Sequence, residues 1–259
     1  MDIYLINLKD SVQRYQKISS RLNELNLPFK RVEAIYGKSL DSEYVNQISC
    51  KLTENETSIR YPQTLTLAEI GCFLSHRICW NLLINSNEEY AIILEDDIHI
   101  SDRAAKYFKS TEWIPKNLSI CNISVPYNKE YNLKITSSKI IDDNSVLVNS
   151  FKSIGGALGY VISKKYAQKA YEASERLYCP VDEFLFNKEN ELPFHSDIYQ
   201  LCPAIVTSNI SFDSDIGNNR DIEKKKAPFW IRHSVESFLL KRRIKKLYKK
   251  CKDFTLFYK

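Results

Sequence analysis

The 259-residue chain contains no apolar run approaching the roughly 18 residues that a membrane-spanning helix requires, so nothing in it reads as such a span. Glycine and proline are scarce, at six and eight residues, which excludes collagen-like and low-complexity chains. The seven cysteines, Cys50, Cys72, Cys79, Cys121, Cys179, Cys202 and Cys251, are odd in number, scattered, and mostly set beside apolar residues. That pattern is not a disulfide framework, and a reducing cytosol is the expected compartment. Met1 runs straight into the strand-like Ile3-Tyr4-Leu5-Ile6, without the basic and apolar regions of a secretory signal. No Walker-type phosphate loop and no recognised nucleic-acid module occurs.

What is present is 44% hydrophobic and 12% aromatic, enough for one substantial core. A single catalytic domain over residues 1–222 is therefore expected, followed by a tail over 223–259. The formal charge of +5 is unevenly placed. Twelve Lys or Arg face one acidic residue, Glu236, between Lys224 and Lys252, whereas the remainder carries 25 basic against 31 acidic residues. The body is mildly acidic and the tail is a cationic module, a partner for anionic lipid or polyanions. Leu240, Ile244, Leu247, Tyr248 and Cys251 recur at helical spacing among the tail's lysines, predicting a basic amphipathic helix. Its apolar stripe suits either a membrane surface or the catalytic domain itself.

Asp2 to Leu8 predicts a strand, and Val12, Tyr15, Ile18, Leu22 and Leu25 a helix, with Asp10 as the expected N-cap. Phe29 to Ile35 suggests a second strand, and 41–63 loop with short helix. Thr66 and Glu69 have capping-box spacing ahead of a helix reaching Ile84, and Tyr90 to Leu94 is an apolar run suited to a central strand covered on both faces. Strand candidates recur at Leu118 to Val125 and Val146 to Val148. Gly155 to Ile162 is a glycine-rich approach to a strand, with a helix expected from Ser163 to Leu177. The grammar is α/β with a mixed, mainly parallel sheet.

The central strand ends in Glu95-Asp96-Asp97. Ligands of open α/β sheets bind at the carboxyl ends of strands, and alternation puts Glu95 and Asp97 on one side with Asp96 on the other. Three converging carboxylates repel one another, a repulsion that a hard divalent cation and phosphate oxygens relieve. A charged loop after a strand is the plain alternative. Glu69, Cys72, His76 and Cys79 form one stripe of the preceding helix, but a single helix stripe cannot wrap a tetrahedral zinc ion without ligands from elsewhere.

Taken in order, Ile3-Tyr4-Leu5-Ile6-Asn7-Leu8, Arg14, Glu33-Ala34-Ile35-Tyr36-Gly37, Leu65 to His76 and Ile93-Leu94-Glu95-Asp96-Asp97 resemble the signature blocks of glycosyltransferase family 25. A weaker echo falls at Gly155 to Ser163 and Pro180-Val181-Asp182. Leu67-Ala68 stands where such families often have Pro-Gly, a change that favours helix.

The resemblance implies a GT-A-like fold, a UDP-sugar donor (most often UDP-galactose), Mn2+ or Mg2+, and inversion at the anomeric carbon. It also implies a saccharide or lipooligosaccharide acceptor, while the cysteines and the basic tail point to work in the cytoplasm, peripheral on the inner membrane. Against that chemistry, Asp96 and Asp97 suit the metal, with His195 a further ligand by analogy or else a surface-loop histidine. Glu95 and Asp96 would serve the donor. Asn7 and Arg14 suit nucleotide and pyrophosphate, Arg14 being equally a solvated helix residue. Ser75 and His76 face either the donor or the core. Asp182 is the candidate general base, or a helix N-cap, and Glu183 is its alternate.

Two other classes share the carboxylates or the charge: a metal-dependent nucleotidyl or phosphoryl transferase, and a non-enzymatic anionic-ligand-binding protein. The missing phosphate loops weigh against the first and the acidic body against a nucleic-acid partner.

Overall fold

The computed structural model describes residues 1–49, 65–126, 131–150, 155–187, 198–209 and 252–258. Strand β1 (Asp2–Asn7) leads into α1 (Val12–Glu24), then β2 (Lys30–Glu33), a 3-10 turn (Gly37–Ser39) and α2 (Ser42–Ile48). After α3 (Leu67–Ile84) come β3 (Tyr90–Leu94), β4 (Ile98–Ile100), α4 (Ala104–Phe108), β5 (Ile120–Asn122), β6 (Ser124–Val125), β7 (Tyr131–Asp142) and β8 (Ser145–Ser150). The remaining elements are β9 (Gly159–Ser163), α5 (Lys164–Ala173), α6 (Val181–Phe186), β10 (Ile198–Cys202), β11 (Val206–Ser208) and β12 (Lys252–Leu256).

Nine strands form one sheet in the order β12-β7-β8-β10-β5-β9-β3-β1-β2, and β4-β11-β6 form a second. The sheet is mixed, as expected, but it is not mainly parallel. Only the β1/β2, β1/β3 and β5/β10 pairings are parallel. β9 runs antiparallel between β3 and β5, and the β7–β8 hairpin adds further antiparallel pairs. β12 pairs with β7, so the last described residues of the predicted tail complete a sheet edge. The predicted tail helix lies outside the described residues.

Alternation along the central strands divides the core into two layers. Tyr4, Ile6, Ala91, Ile93, Tyr160 and Ile162 pack towards α3, α5 and α6. Ile3, Leu5, Ile92, Leu94 and Val161 pack with α1 and α4 residues on the other face. Both sides of β3 are thereby dry, which is why its sequence is an uninterrupted apolar run.

Helix α3 is buried nearly all round, and its start is fixed by a complete capping box. Thr66 Oγ1 accepts from the Glu69 N–H at 3.2 Å, and the Glu69 carboxylate accepts from the Thr66 N–H at 2.8 Å. The β2–α2 loop lies directly on this helix. A Cβ on Gly71 would stand 2.6 Å from the Ile35 carbonyl oxygen, so only glycine permits the approach. Ser75 Oγ accepts from the Ile35 N–H at 2.8 Å and donates to the Gly71 carbonyl at 2.7 Å. Farther along, Phe73 meets Phe184 edge-on at 5.1 Å and Trp80 stacks on Phe184 at 6.1 Å, tying α3 to α6. Such ring pairs each add about 0.5–1.5 kcal/mol beyond area burial.

Candidate active site

Glu95 and Asp96 leave the carboxyl end of β3 towards opposite sides, as strand alternation predicts. Asp96 turns towards β1 and α1. Its Oδ2 accepts from Asn7 Nδ2 at 2.5 Å, and its Oδ1 lies 3.5 Å from Arg14 Nη1. Burial raises the Asp96 pKa, an effect that Asn7 and Arg14 partly offset. Asn7, only 1% exposed, is held in turn: its Oδ1 accepts from Arg31 Nη2 at 2.5 Å and its Nδ2 also donates to the Ser11 carbonyl at 3.1 Å. Arg31 is itself fixed over the Tyr15 ring at 4.3 Å. The structure thus makes Asn7 the support of Asp96, and Arg31 the support of Asn7.

Glu95 turns the other way, towards α3. Its Oε1 lies 3.2 Å from His76 Nε2 and 3.9 Å from Cys72 Sγ. His76 Nδ1 is 2.8 Å from the Tyr160 hydroxyl, which accepts from Trp80 Nε1–H at 3.0 Å. Indole is only a donor, and the carboxylate only accepts. With a neutral imidazole, the chain therefore runs one way: Trp80 donates to Tyr160, Tyr160 to His76 Nδ1, and His76 Nε2–H to Glu95. Burial pushes the Tyr160 phenol far above its ordinary range, so it keeps the proton that it donates. All three upstream side chains are fully buried. The relay holds one oxygen of Glu95 in place from inside the core.

Asp97 is the least compensated of the three. Its Oδ1 is buried without a hydrogen-bond partner. Burial first, then the charges of Glu95 and Asp96, push its pKa up to about 7. A buried carboxylate oxygen with nothing to accept, between two further carboxylates, fits a divalent cation with oxygen ligands.

Asp182 approaches from α6, near enough for its charge to act on Cys72. It sits in the first turn of that helix, where Pro180, not Asp182, takes the N-cap position. Asp182 Oδ2 instead accepts from the Gly156 N–H at 2.9 Å, and Asn122 Nδ2 donates to the Gly156 carbonyl at 3.3 Å. Gly155 and Gly156 both have positive φ, +79° and +82°, a backbone that side-chain-bearing residues adopt only with strain. Burial raises the Cys72 thiol pKa well above its ordinary value, and Glu95, Asp182, Asp97 and Glu69 add to the rise in that order. All four carboxylates thus act on Cys72, Glu95 most strongly. Glu183 is buried and accepts from Asn187 Nδ2 at 2.8 Å within its own helix turn. Ser75 is buried, with its hydroxyl engaged as described above, while His195 lies outside the described residues.

Sequence reasoning missed Arg31, Tyr160, Trp80 and Asn122. Tyr160 had one available signal: with Ile162 it occupies the α3-facing positions of β9, where a polar hydroxyl must find a partner.

Three carboxylates thus gather at the carboxyl end of a central strand, one of them cross-braced by Asn7 and Arg14. The comparisons supply the family. The family model described as "Glycosyltransferase family 25 (LPS biosynthesis protein)" matches residues 1–185, and the chain belongs to that family. A procollagen galactosyltransferase 1-B of Xenopus laevis is 30% identical over 190 residues, covering 71% of this chain and 30% of that protein. A glycosyltransferase 25 family member of Drosophila melanogaster is 27% identical, covering 85% and 38% respectively. The lipooligosaccharide biosynthesis protein lex-1 of Haemophilus influenzae is 29% identical, covering 59% and 53%. The chain thus matches about a third of the length of the two animal relatives and about half of the bacterial one.

Proposed function

We propose that this chain is a metal-dependent, inverting hexosyltransferase that moves galactose from UDP-galactose onto a hydroxyl of a lipooligosaccharide or related saccharide. The observation that carries the reading is the partnerless, buried Oδ1 of Asp97 between Glu95 and Asp96. Family membership supports the transfer of a sugar, and the names of the Xenopus and Haemophilus relatives support galactose and lipooligosaccharide respectively.

Asp96 and Asp97 would hold Mn2+ or Mg2+, which when bound supplies positive charge to the departing diphosphate. Asn7 and Arg14 keep Asp96 aimed and partly offset the effect of its burial. Glu95, fixed through Oε1 by His76, presents its second oxygen to the donor. Asp182 takes the proton of the attacking acceptor hydroxyl, its Oδ2 pinned by Gly156 so that the carboxyl plane is set. A positioned base of this kind contributes ~10²- to 10⁴-fold. The basic residues of 223–251 would hold the enzyme against anionic membrane. No helix among the described residues is long and apolar enough to cross one.

The test is a donor screen over UDP-, GDP- and CMP-sugars with truncated lipooligosaccharide acceptors, following nucleotide release and the anomeric configuration of the product. Acceptor-dependent UDP release from UDP-galactose with inversion is expected. Release from no donor, or retention of configuration, would reject the reading.

A further inference from the structure

Cys72, His76 and Glu95 present one sulfur, one nitrogen and one oxygen that all lie within 4.8 Å of one another. Cys72 and His76 are one helical turn apart on α3, and Glu95 completes the set from β3. This supplies what the helix stripe alone lacks, a ligand from another element.

Two of the three edges are close to those of a tetrahedral ion, and the third is within 4.8 Å. Zinc–ligand bonds of about 2.3 Å to sulfur and 2.0–2.1 Å to nitrogen and oxygen give tetrahedral edges of about 3.5 Å between S and O and about 3.3 Å between N and O. The corresponding separations are 3.9 Å for Cys72 Sγ to Glu95 Oε1 and 3.2 Å for His76 Nε2 to Glu95 Oε1. Cys72 is a free thiol. The Glu95 side chain is 23% exposed, so an ion has an entry from the cleft and a water can fill the fourth position. The outer shell is also in place. A ligating histidine needs a partner for its other nitrogen, and the Tyr160 hydroxyl stands 2.8 Å from Nδ1.

We propose that Cys72, His76 and Glu95 form a second cation site, for a thiophilic divalent ion such as Zn2+, whose occupation stops catalysis by withdrawing Glu95 from the donor. The site differs in chemistry from the all-oxygen Asp96–Asp97 pair: sulfur and imidazole select zinc, and carboxylates alone select magnesium or manganese. Binding releases the Cys72 thiol proton to solvent. The imidazole stays neutral by carrying its proton on Nδ1, which donates to the Tyr160 oxygen while Nε2 takes the ion. The inhibitory consequence rests on the proposed transferase reading; the ion site does not.

Two arms keep these separate. In the first, full-length metal-free protein is titrated with Co2+ as a spectroscopic probe. One equivalent should give tetrahedral ligand-field bands with thiolate-to-cobalt charge transfer, retained in Asp97→Asn and lost in Cys72→Ala. Tyr160→Phe should weaken binding roughly 10- to 100-fold. So that the test does not rest on how either variant folds, Zn2+ protection of Cys72 from alkylation is also read by peptide mass spectrometry in the unaltered protein. Absence of the bands, their persistence in Cys72→Ala, or unprotected Cys72 would overturn the site. In the second arm, sugar transfer is measured at saturating Mn2+ with rising Zn2+. Inhibition at one bound zinc is expected, with resistance in Cys72→Ala; zinc bound at the site with unchanged turnover would overturn the inhibitory role.

Discussion

Asp97→Asn should make the metal-free protein more stable at neutral pH while ending its activity. The Asp97 carboxyl has its pKa raised from 3.8 to about 7 in the folded protein. Between those values the unfolded chain has released the proton and the folded chain still holds it. Stability therefore falls as pH rises through this window and stays lower above it. Three units at about 1.4 kcal/mol each correspond to about 4 kcal/mol. Asparagine preserves the volume and removes the charge, but its buried N–H2 needs an acceptor and costs about 1–3 kcal/mol if it finds none. The net gain is about 2 kcal/mol above pH 7, a rise in Tm of roughly 4–8 °C for a protein of this size. The assay is thermal unfolding of both proteins in EDTA from pH 4 to pH 8. The gain should be lost towards pH 4, where the folded carboxyl is protonated and the unfolded one is only beginning to ionise. A lower Tm for Asp97→Asn at pH 8, or an equal gain at pH 4, would refute the assignment of Asp97 as the uncompensated group.

Tyr160→Phe leaves the Trp80 indole N–H without an acceptor and His76 Nδ1 without a donor, both inside the core. At about 1–3 kcal/mol per unsatisfied group, a loss of about 3 kcal/mol is expected in urea unfolding, and a change under about 0.5 kcal/mol would remove the relay. Asp182→Asn should lower kcat about 10²-fold or more with donor affinity retained. If donor binding is lost instead, Asp182 serves the donor or the Gly155–Gly156 turn. The tail is tested by charge replacement, because truncation would also strip β12 from β7 and the Phe257 carbonyl from Ala204 N–H. Replacing Lys241, Arg242, Lys245, Lys246, Lys249 and Lys250 by glutamine should abolish sedimentation with anionic liposomes while turnover on soluble acceptor persists. Unchanged sedimentation would remove the membrane reading.

Local signals identified the elements that hold the site. The Thr66–Glu69 capping box and the apolar Tyr90–Leu94 run give α3 and β3 at the observed bounds, because cap chemistry and two-sided burial are both written in adjacent residues. α1 begins after Ser11 rather than Asp10, since the chain turns through Leu8–Ser11 first. The hairpin from Tyr131 to Ser150 was only partly legible: exposed residues such as Lys139 and Ile140 alternate with buried Leu133 and Ile135 too irregularly, across register shifts, to mark a twelve-residue strand. β9 carries no local mark of its direction, and its antiparallel insertion between β3 and β5 is a tertiary fact.

At the site, strand alternation separated Asp96 from Glu95, as the structure shows. The partners of each carboxylate were not legible, for Asn7–Asp96 and His76–Tyr160 are 89 and 84 residues apart in the chain. The sequence also offered no means to see that Asp182 would fasten Gly156, since that bond depends on where α6 docks on α3.

The central claim is that the carboxylates at the end of β3 bind the donor's diphosphate through a divalent ion. Isothermal calorimetry of UDP binding, in Mn2+ and in EDTA, with the unaltered protein and Asp97→Asn, tests it most directly. Binding by the unaltered protein in Mn2+ only, and none by Asp97→Asn under either condition, is expected. Equal UDP affinity in Mn2+ and EDTA, or undiminished Mn2+-dependent binding by Asp97→Asn, would contradict it.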